Sequence, residues 1–245
     1  MARWRAARTL RGMTYTLVLF DLDDTLLDFT GTQAVAFEAT VARYDIDGQG
    51  GALYARYQEY NRDCWRRHER GELSKTLLRS ERWRLILRSA GAGHLPHEQV
   101  AESYLEELPR HPLLVAGAVE VCAALAEQVT LGVVTNGFES VQHRRLAASP
   151  LAEFISFMLT SEGVGTPKPG RPLFDRALQL GEAVTHDSVM IGDNPSSDIA
   201  GANAIGMHSI WFNPTGAAPE PGVAATHTVR RLDELLELPR MPRVG

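Results

Sequence analysis

Asp21, Asp23 and Asp24 stand directly behind Leu17-Val18-Leu19-Phe20, four apolar residues of the kind that fill a buried strand. Groups at the carboxyl ends of parallel strands face the crevice in which open α/β sheets bind their ligands. Asp21 and Asp23, two apart, can both address that end, through a side chain or a backbone carbonyl. Carboxylates this close repel one another, and one pKa rises unless a cation neutralises them. A hard divalent ion with oxygen ligands, most simply Mg2+, meets that demand. Taken alone, the stretch fits an acidic turn after a strand equally well.

Three further stretches share its plan, an apolar or stiffened segment that ends in polar groups. Leu131-Gly132-Val133-Val134 runs into Thr135-Asn136-Gly137. The Thr135 hydroxyl and the amides of Asn136 and Gly137 are suited to an anion at the start of a helix, and Gly137 lets the backbone come close. T-N-G is also a common turn. Val164 to Gly170 sets Lys168 between Pro167 and Pro169, so the ammonium is carried by a stiff loop. A lysine in a loop is usually a solvated one. Lys168, however, is one of two lysines among 25 basic residues, in a chain that otherwise uses arginine, which a compact point charge does not replace. Val189-Met190-Ile191-Gly192 ends in Asp193, with Asp198 following. Asn194 suits a helix N-cap and Pro195 a first helical position. Dipole compensation accounts for one acid there, and two at another strand tip ask for more.

These groups need a scaffold that brings strand tips together. From Pro112 onward, helical and apolar segments alternate. Helices are expected at Ala118–Glu127, Glu139–Ala148, Pro172–Leu180 and Ser196–Ala204. Strands are expected at Thr130–Val134, Ser188–Ile191 and His208–Trp211, with a further apolar stretch at Phe154–Leu159; Leu232–Leu238 closes the domain. Repeated βα units of this length predict an α/β fold with a doubly wound parallel sheet and right-handed crossovers. Gly216–Gly222 reads as a surface loop. Between Leu27 and Pro112 the period is helical throughout, as in Val35, Phe37 and Val41 or Leu77, Leu78, Leu85 and Ile86. Four or so helices and no strand make this an insertion into the α/β core.

Length and composition agree. A chain of 245 residues holds one core domain with a sizeable insertion, and 44% hydrophobic with 22% charged residues is a globular balance. The net charge of -5 argues against a dedicated nucleic-acid binder. No apolar run approaches the about 18 residues that span a membrane. Cys64 and Cys122 lack metal spacing and a disulfide framework, as expected of a cytoplasmic protein. Arg3, Arg5, Arg8 and Arg11 precede Met13 without an acid between them, and read as a disordered extension rather than a targeting or polyanion-binding arm.

Asp21-x-Asp23-x-Thr25, Thr135-Asn136, Lys168 and Gly192-Asp193-x4-Asp198, in this order on βα units, resemble the haloacid dehalogenase-like (HAD) hydrolase superfamily, over about Tyr15 to Leu238. The resemblance implies a Rossmann-like core at 15–27 and 112–239, an α-helical cap at 28–111, and an N-terminal extension at 1–14. It implies that Asp21 is a nucleophile forming an aspartyl-phosphate and that Asp23 alternates as general acid and base. Mg2+ would be held by Asp21, Asp193 and the Asp23 carbonyl, with Asp198 supporting Lys168 and the metal shell. Thr135, Asn136, Gly137 and Lys168 would bind the phosphoryl group.

Val134 to Gln142, Ser161 to Gly165, and Asn61 to Ser74 around Trp65 look like the pyrimidine 5'-nucleotidases of that superfamily. The implied partner is a small phosphate monoester, a nucleoside monophosphate, with no nucleic acid and no membrane; Phe29, Trp65 and Phe138 are candidates to stack on a base. The alternatives are a phosphoglycolate, sialic-acid or sugar-phosphate phosphatase. More distant are a 2-haloacid dehalogenase, which characteristically lacks an acid at the Asp23 position, and a non-catalytic binding protein on the same scaffold.

Overall fold

The computed structural model describes residues 15–46 and 51–238. The Arg-rich extension at 1–14 and the last residue of the expected core, 239, therefore lie outside the described residues. By its contacts the chain divides into two compact units, Met1–Phe29 with Leu113–Gly245, and Thr30–Pro112.

The first unit is built on six parallel strands: β1 (Leu17–Phe20), β2 (Thr130–Thr135), β3 (Phe157–Thr160), β4 (Ser188–Gly192), β5 (His208–Phe212) and β6 (His227–Val229), in the spatial order β3-β2-β1-β4-β5-β6. The chain winds outward from β1 to β3, then returns to lay β4 on the other side of β1. The order therefore reverses between β1 and β4, the position at which such sheets bind ligands. β1 is apolar throughout because both of its faces are covered. Val18 and Phe20 pack on one side with Val121, Leu125 and Val133, while Leu17 and Leu19 pack on the other with Leu173, Phe174 and Met190. Side chains alternate faces along a strand, so four residues feed two cores.

The second unit is helical: α1 (Phe29–Arg43, whose first residue belongs to the first unit), α2 (Gly51–Glu69), α3 (Lys75–Ser89) and α4 (His97–Glu107). Its interior is aromatic, with the Phe37, Tyr57, Trp83 and Tyr104 rings spaced 4.8 to 5.7 Å between centroids. Ser74 caps α3 by accepting the Leu77 amide. The α/β unit adds α5 (Ala118–Ala126), α6 (Glu139–Ala147), α7 (Ser161–Val164), α8 (Arg171–Leu180) and α9 (Ala200–Ala204). No helix among the described residues is long and apolar enough to cross a membrane.

Some elements depart from the expected bounds. The apolar stretch at Phe154 begins as a turn, in which Phe154 N donates to Leu151 O, and β3 starts only at Phe157. The helix expected at Ser196 begins as a π-helical turn over Pro195–Ile199 and becomes α-helical at Ala200. β6 was not expected at all. Three residues are too few to show a period, and they become a strand by pairing with Ile210–Phe212.

Candidate active site

The register of the three central strands sets their tips side by side. Phe20 is level with Val133 of β2 and Ile191 of β4, and Asp21 N donates to Ile191 O at 2.9 Å. Asp21 leaves the sheet one residue later, between the ends of β2 and β4. The residue is 7% exposed, and its carboxylate is paired with the Lys168 ammonium. Lys168 also donates to Asp198 Oδ1 at 2.7 Å and to the Val134 carbonyl at 2.8 Å. An ammonium has three protons, and these three acceptors use them.

The loop that delivers Lys168 is fixed by Asn136. Asn136 Oδ1 accepts the Lys168 amide at 2.8 Å, and Asn136 Nδ2 donates to the Lys168 carbonyl at 3.0 Å. Its carboxamide therefore mimics a backbone partner and ties the β2 tip to a loop 32 residues away. Across the sheet, Asp198 is fully buried and accepts from Asn194 N and Ser197 Oγ, both at 3.1 Å. A Cβ on Gly192 would sit 2.2 Å from Asp198 Oδ2, so the strand can pass this carboxylate only as glycine. Asp193 is braced through its backbone. Its amide donates to Thr25 Oγ1 at 3.1 Å, and its carbonyl accepts from Trp211 Nε1 at 2.9 Å.

One oxygen from each of Asp21, Asp193 and Asp198 lies within 4.8 Å of the others. Burial pushes the Asp21 carboxyl well above the usual carboxylate range, and the charges of Asp198, Asp193 and Asp23 push the same way against Lys168. Asp193 is pushed up to about 7, by burial and then by Asp198 and Asp24. Burial acts to lower Lys168, but Asp198 and Asp21 outweigh it and raise its pKa. One ammonium thus serves three crowded carboxylates. A hard cation taken up by them would remove the excess negative charge, so the donor set fits a divalent metal.

Asp23 stands outside this group. Its carboxylate turns to α6, where Arg145 Nη1 pairs with one oxygen and Gln142 Nε2 donates to the other at 2.8 Å. Neither Gln142 nor Arg145 was singled out in the sequence as a site residue. A signal was available: both sit on the buried side of α6 between Val141 and Leu146, where a helix with only a packing role carries apolar residues.

Gly137 is tied to Thr135 and Gln142. Its amide donates to Thr135 Oγ1 at 3.1 Å, and a Cβ there would lie 2.3 Å from Gln142 Nε2. Its missing side chain thus makes room for the Gln142 carboxamide. Of the three aromatic candidates, Phe138 is buried, the Phe29 ring lies 4.9 Å from the Arg145 guanidinium carbon, and Trp65 is half-buried on α2 beside His68.

A doubly wound parallel sheet with acids at the tips of β1 and β4, and a buried lysine between them, defines a Rossmann-like hydrolase core. Residues 15–206 match the model of the haloacid dehalogenase-like hydrolases, and the chain belongs to that family. It is 30% identical over 227 residues to the HAD hydrolase YfnB of Bacillus subtilis, spanning 91% of this chain and 95% of that one. The crystal structure of YfnB bound to magnesium superposes with a TM-score of 0.84 at 28% identity, covering 91% and 97% of the two chains. The pyrimidine 5'-nucleotidase YjjG of Escherichia coli is 29% identical over 233 residues, 92% of this chain and 98% of that one. The pyrimidine 5'-nucleotidase PynA of Streptococcus pneumoniae is 28% identical over 235 residues, 92% and 95%.

Proposed function

We propose that this hydrolase is a Mg2+-dependent phosphatase acting through an aspartyl-phosphate, with pyrimidine nucleoside monophosphates as substrates. The observation that carries the reading is the division of labour between two carboxylates two residues apart. Asp21 shares Lys168 with Asp198 beside Asp193, whereas Asp23 is held separately by Gln142 and Arg145. A nucleophile and an acid–base group need such different surroundings.

In this mechanism an Asp21 oxygen attacks phosphorus in line with the leaving oxygen. The P–O bond to the ester breaks as the bond to Asp21 forms, and Asp23 delivers its proton to the departing alkoxide. Asp23 then takes a proton from water, which attacks the phosphorus of the aspartyl-phosphate and releases phosphate with Asp21 restored. Lys168, whose proton to Asp21 is released as that carboxylate bonds to phosphorus, joins the Thr135 hydroxyl and the Asn136 amide in holding the phosphoryl oxygens, on which charge is spread in the transition state. Asp21, Asp193 and the Asp23 carbonyl would hold Mg2+, with Asp198 supporting them and Lys168, and the ion would supply further charge neutralisation. We assign residues 28–111 the role of a substrate-selecting cap. The nucleotide assignment draws on two relatives that carry the name pyrimidine 5'-nucleotidase.

The test is phosphate release with Mg2+ from UMP, dUMP, dTMP, purine monophosphates, phosphoglycolate and sugar phosphates. Pyrimidine monophosphates should lead, EDTA should stop turnover, and Asp21→Asn should lose at least about 10⁴-fold, as expected when a covalent nucleophile is removed. Another leading ester would move the substrate to that class and leave the chemistry standing. Full turnover in EDTA would overturn the metal-dependent mechanism.

A further inference from the structure

We propose that Gln142 and Arg145 are positioning residues that fix the Asp23 carboxylate for proton transfer and couple it to the Thr135 hydroxyl; this rests on the phosphatase reading above. The hydrogen-bond inventory closes in one way only. Gln142 Nε2 donates to Asp23 Oδ2 at 2.8 Å and to Thr135 Oγ1 at 2.9 Å, while Gln142 Oε1 accepts from Arg145 Nη1 at 2.8 Å. A flipped carboxamide would set its oxygen against a carboxylate and its NH2 against a guanidinium, so the amide orientation is settled by its neighbours. Arg145 Nη1 spends its second proton on Asp23 Oδ1. Both Asp23 oxygens are thereby engaged, and the plane of the carboxylate is fixed.

Thr135 is oriented by the same network. Its Oγ1 accepts from Gln142 Nε2 and from Gly137 N. With two protons aimed at its lone pairs, the hydroxyl turns its own proton outward as a donor. One glutamine side chain thus sets both the acid–base group and a phosphoryl-binding hydroxyl.

Packing does not account for these side chains. Arg145 is fully buried, and its Nε and Nη2 have no hydrogen-bond partner among the described residues. Burying a guanidinium carries a desolvation cost, and a leucine would fill the space without it. What the arginine adds is the pair of bonds made by Nη1, with the Phe29 ring against the guanidinium. Gly137 supplies an independent handle, because a methyl group there would displace the Gln142 amide without altering any of the hydrogen-bonding side chains.

Leaving-group dependence separates this role from a structural one. A nitrophenolate departs without help from an acid, whereas the alkoxide of an alkyl phosphate such as a nucleoside monophosphate needs the proton. Gln142→Ala and Gly137→Ala should therefore lower kcat/KM for the alkyl ester about 10²-fold more than for p-nitrophenyl phosphate, the scale of a displaced general acid, while the loss common to both esters reports the Thr135 hydroxyl. Both should also show a stoichiometric burst of nitrophenol, since the aspartyl-phosphate then waits for its base. Arg145→Lys should recover part of the alkyl-ester activity that Arg145→Met loses, with thermal midpoints measured alongside. Equal losses on the two esters without a burst would overturn the proposal. Crystal structures of Gln142→Ala and Gly137→Ala give a readout free of activity: an Asp23 carboxylate still in its original plane in both would overturn it as well. Wild-type protein that releases phosphate from neither ester would instead remove the phosphatase reading, and the structures would still decide the positioning role.

Discussion

Both units bury cations, and Lys168 in one and Arg82 in the other are surrounded differently. In the α/β unit, Lys168 sits among the carboxylates of Asp21 and Asp198 and the carbonyl of Val134. In the helical unit, Arg82 is 2% exposed, donates to Asn61 Oδ1 at 2.7 Å, and lies 5.3 Å from the centre of the Tyr104 ring and 6.0 Å from that of Tyr57. One cation compensates charge that the strand tips have concentrated. The other donates to a side-chain carboxamide and lies against two ring faces, contacts that hold a long side chain in a packed interior. Burial of charge alone does not mark a site; burial among groups that repel one another does.

The difference can be broken most sharply at Lys168. Lys168→Met leaves Asp21 and Asp198 crowded and buried with no cation. Removing one partner of a buried pair costs about 3–5 kcal/mol, so urea denaturation of the metal-free variant should show a loss on that scale. Phosphate release should fall by about 10³-fold or more, because a donor to the phosphoryl oxygens is lost as well. Mg2+ should return part of the stability and little of the activity. A metal-free variant as stable as wild type would mean that these carboxylates do not depend on the lysine.

The next effect is read through pH. An Asp193 carboxyl pushed up to about 7 is protonated in the metal-free folded protein under conditions where the unfolded chain, near the usual carboxylate value, has already lost its proton. The folded state then binds more protons, so its stability declines as pH rises from about 4 to about 7 and levels off above. A metal competes with that proton. Mg2+ affinity should weaken as pH falls below about 7, approaching tenfold per unit where one proton is exchanged, and saturating Mg2+ should flatten the decline in stability. Calorimetry in buffers of different ionisation enthalpy counts the proton released. An affinity independent of pH between 5.5 and 7.5 would contradict the raised Asp193.

How far the sequence carries this comparison depends on the residue. β1, β2, β4 and β5 were legible because a strand covered on both faces carries an uninterrupted run of apolar residues and glycine, which in β1, β2 and β4 stops abruptly at polar residues. Asp21, Thr135, Lys168, Asp193 and Asp198 were legible because unusual types stand at those stops. Partnerships were not legible. That Asn136 would clasp the Lys168 peptide, or that Gly192 and Gly137 are glycine so that Asp198 and Gln142 can pass, depends on strand register and loop path. Gln142 and Arg145 do not stand out in the sequence, because a polar residue in a helix is ordinarily solvated. Only the apolar neighbours at Val141 and Leu146 show that this face of α6 points inward. In the helical unit, the period gave the helices while Arg82 looked like any arginine on an exposed face.

The smallest effect tests the other half of the comparison. Arg82 is held in part by the Asn61 carboxamide and by two rings, contacts that a long apolar side chain replaces in part. Arg82→Met gives up the bond to Asn61 Oδ1 and the contacts with the two rings, each on the order of 1 kcal/mol, and recovers much of this by sparing the desolvation of a guanidinium. The loss in urea denaturation should be smaller than that of Lys168→Met, which leaves two crowded carboxylates without their cation. Burial raises the Tyr57 and Tyr104 hydroxyls while Arg82 acts to lower them, so removing the guanidinium should move both tyrosine titrations further up. A collapse of the helical unit in Arg82→Met, comparable to that of the core in Lys168→Met, would instead show that Arg82 carries a compensating charge of its own. The contrast between the two cations would then be one of degree.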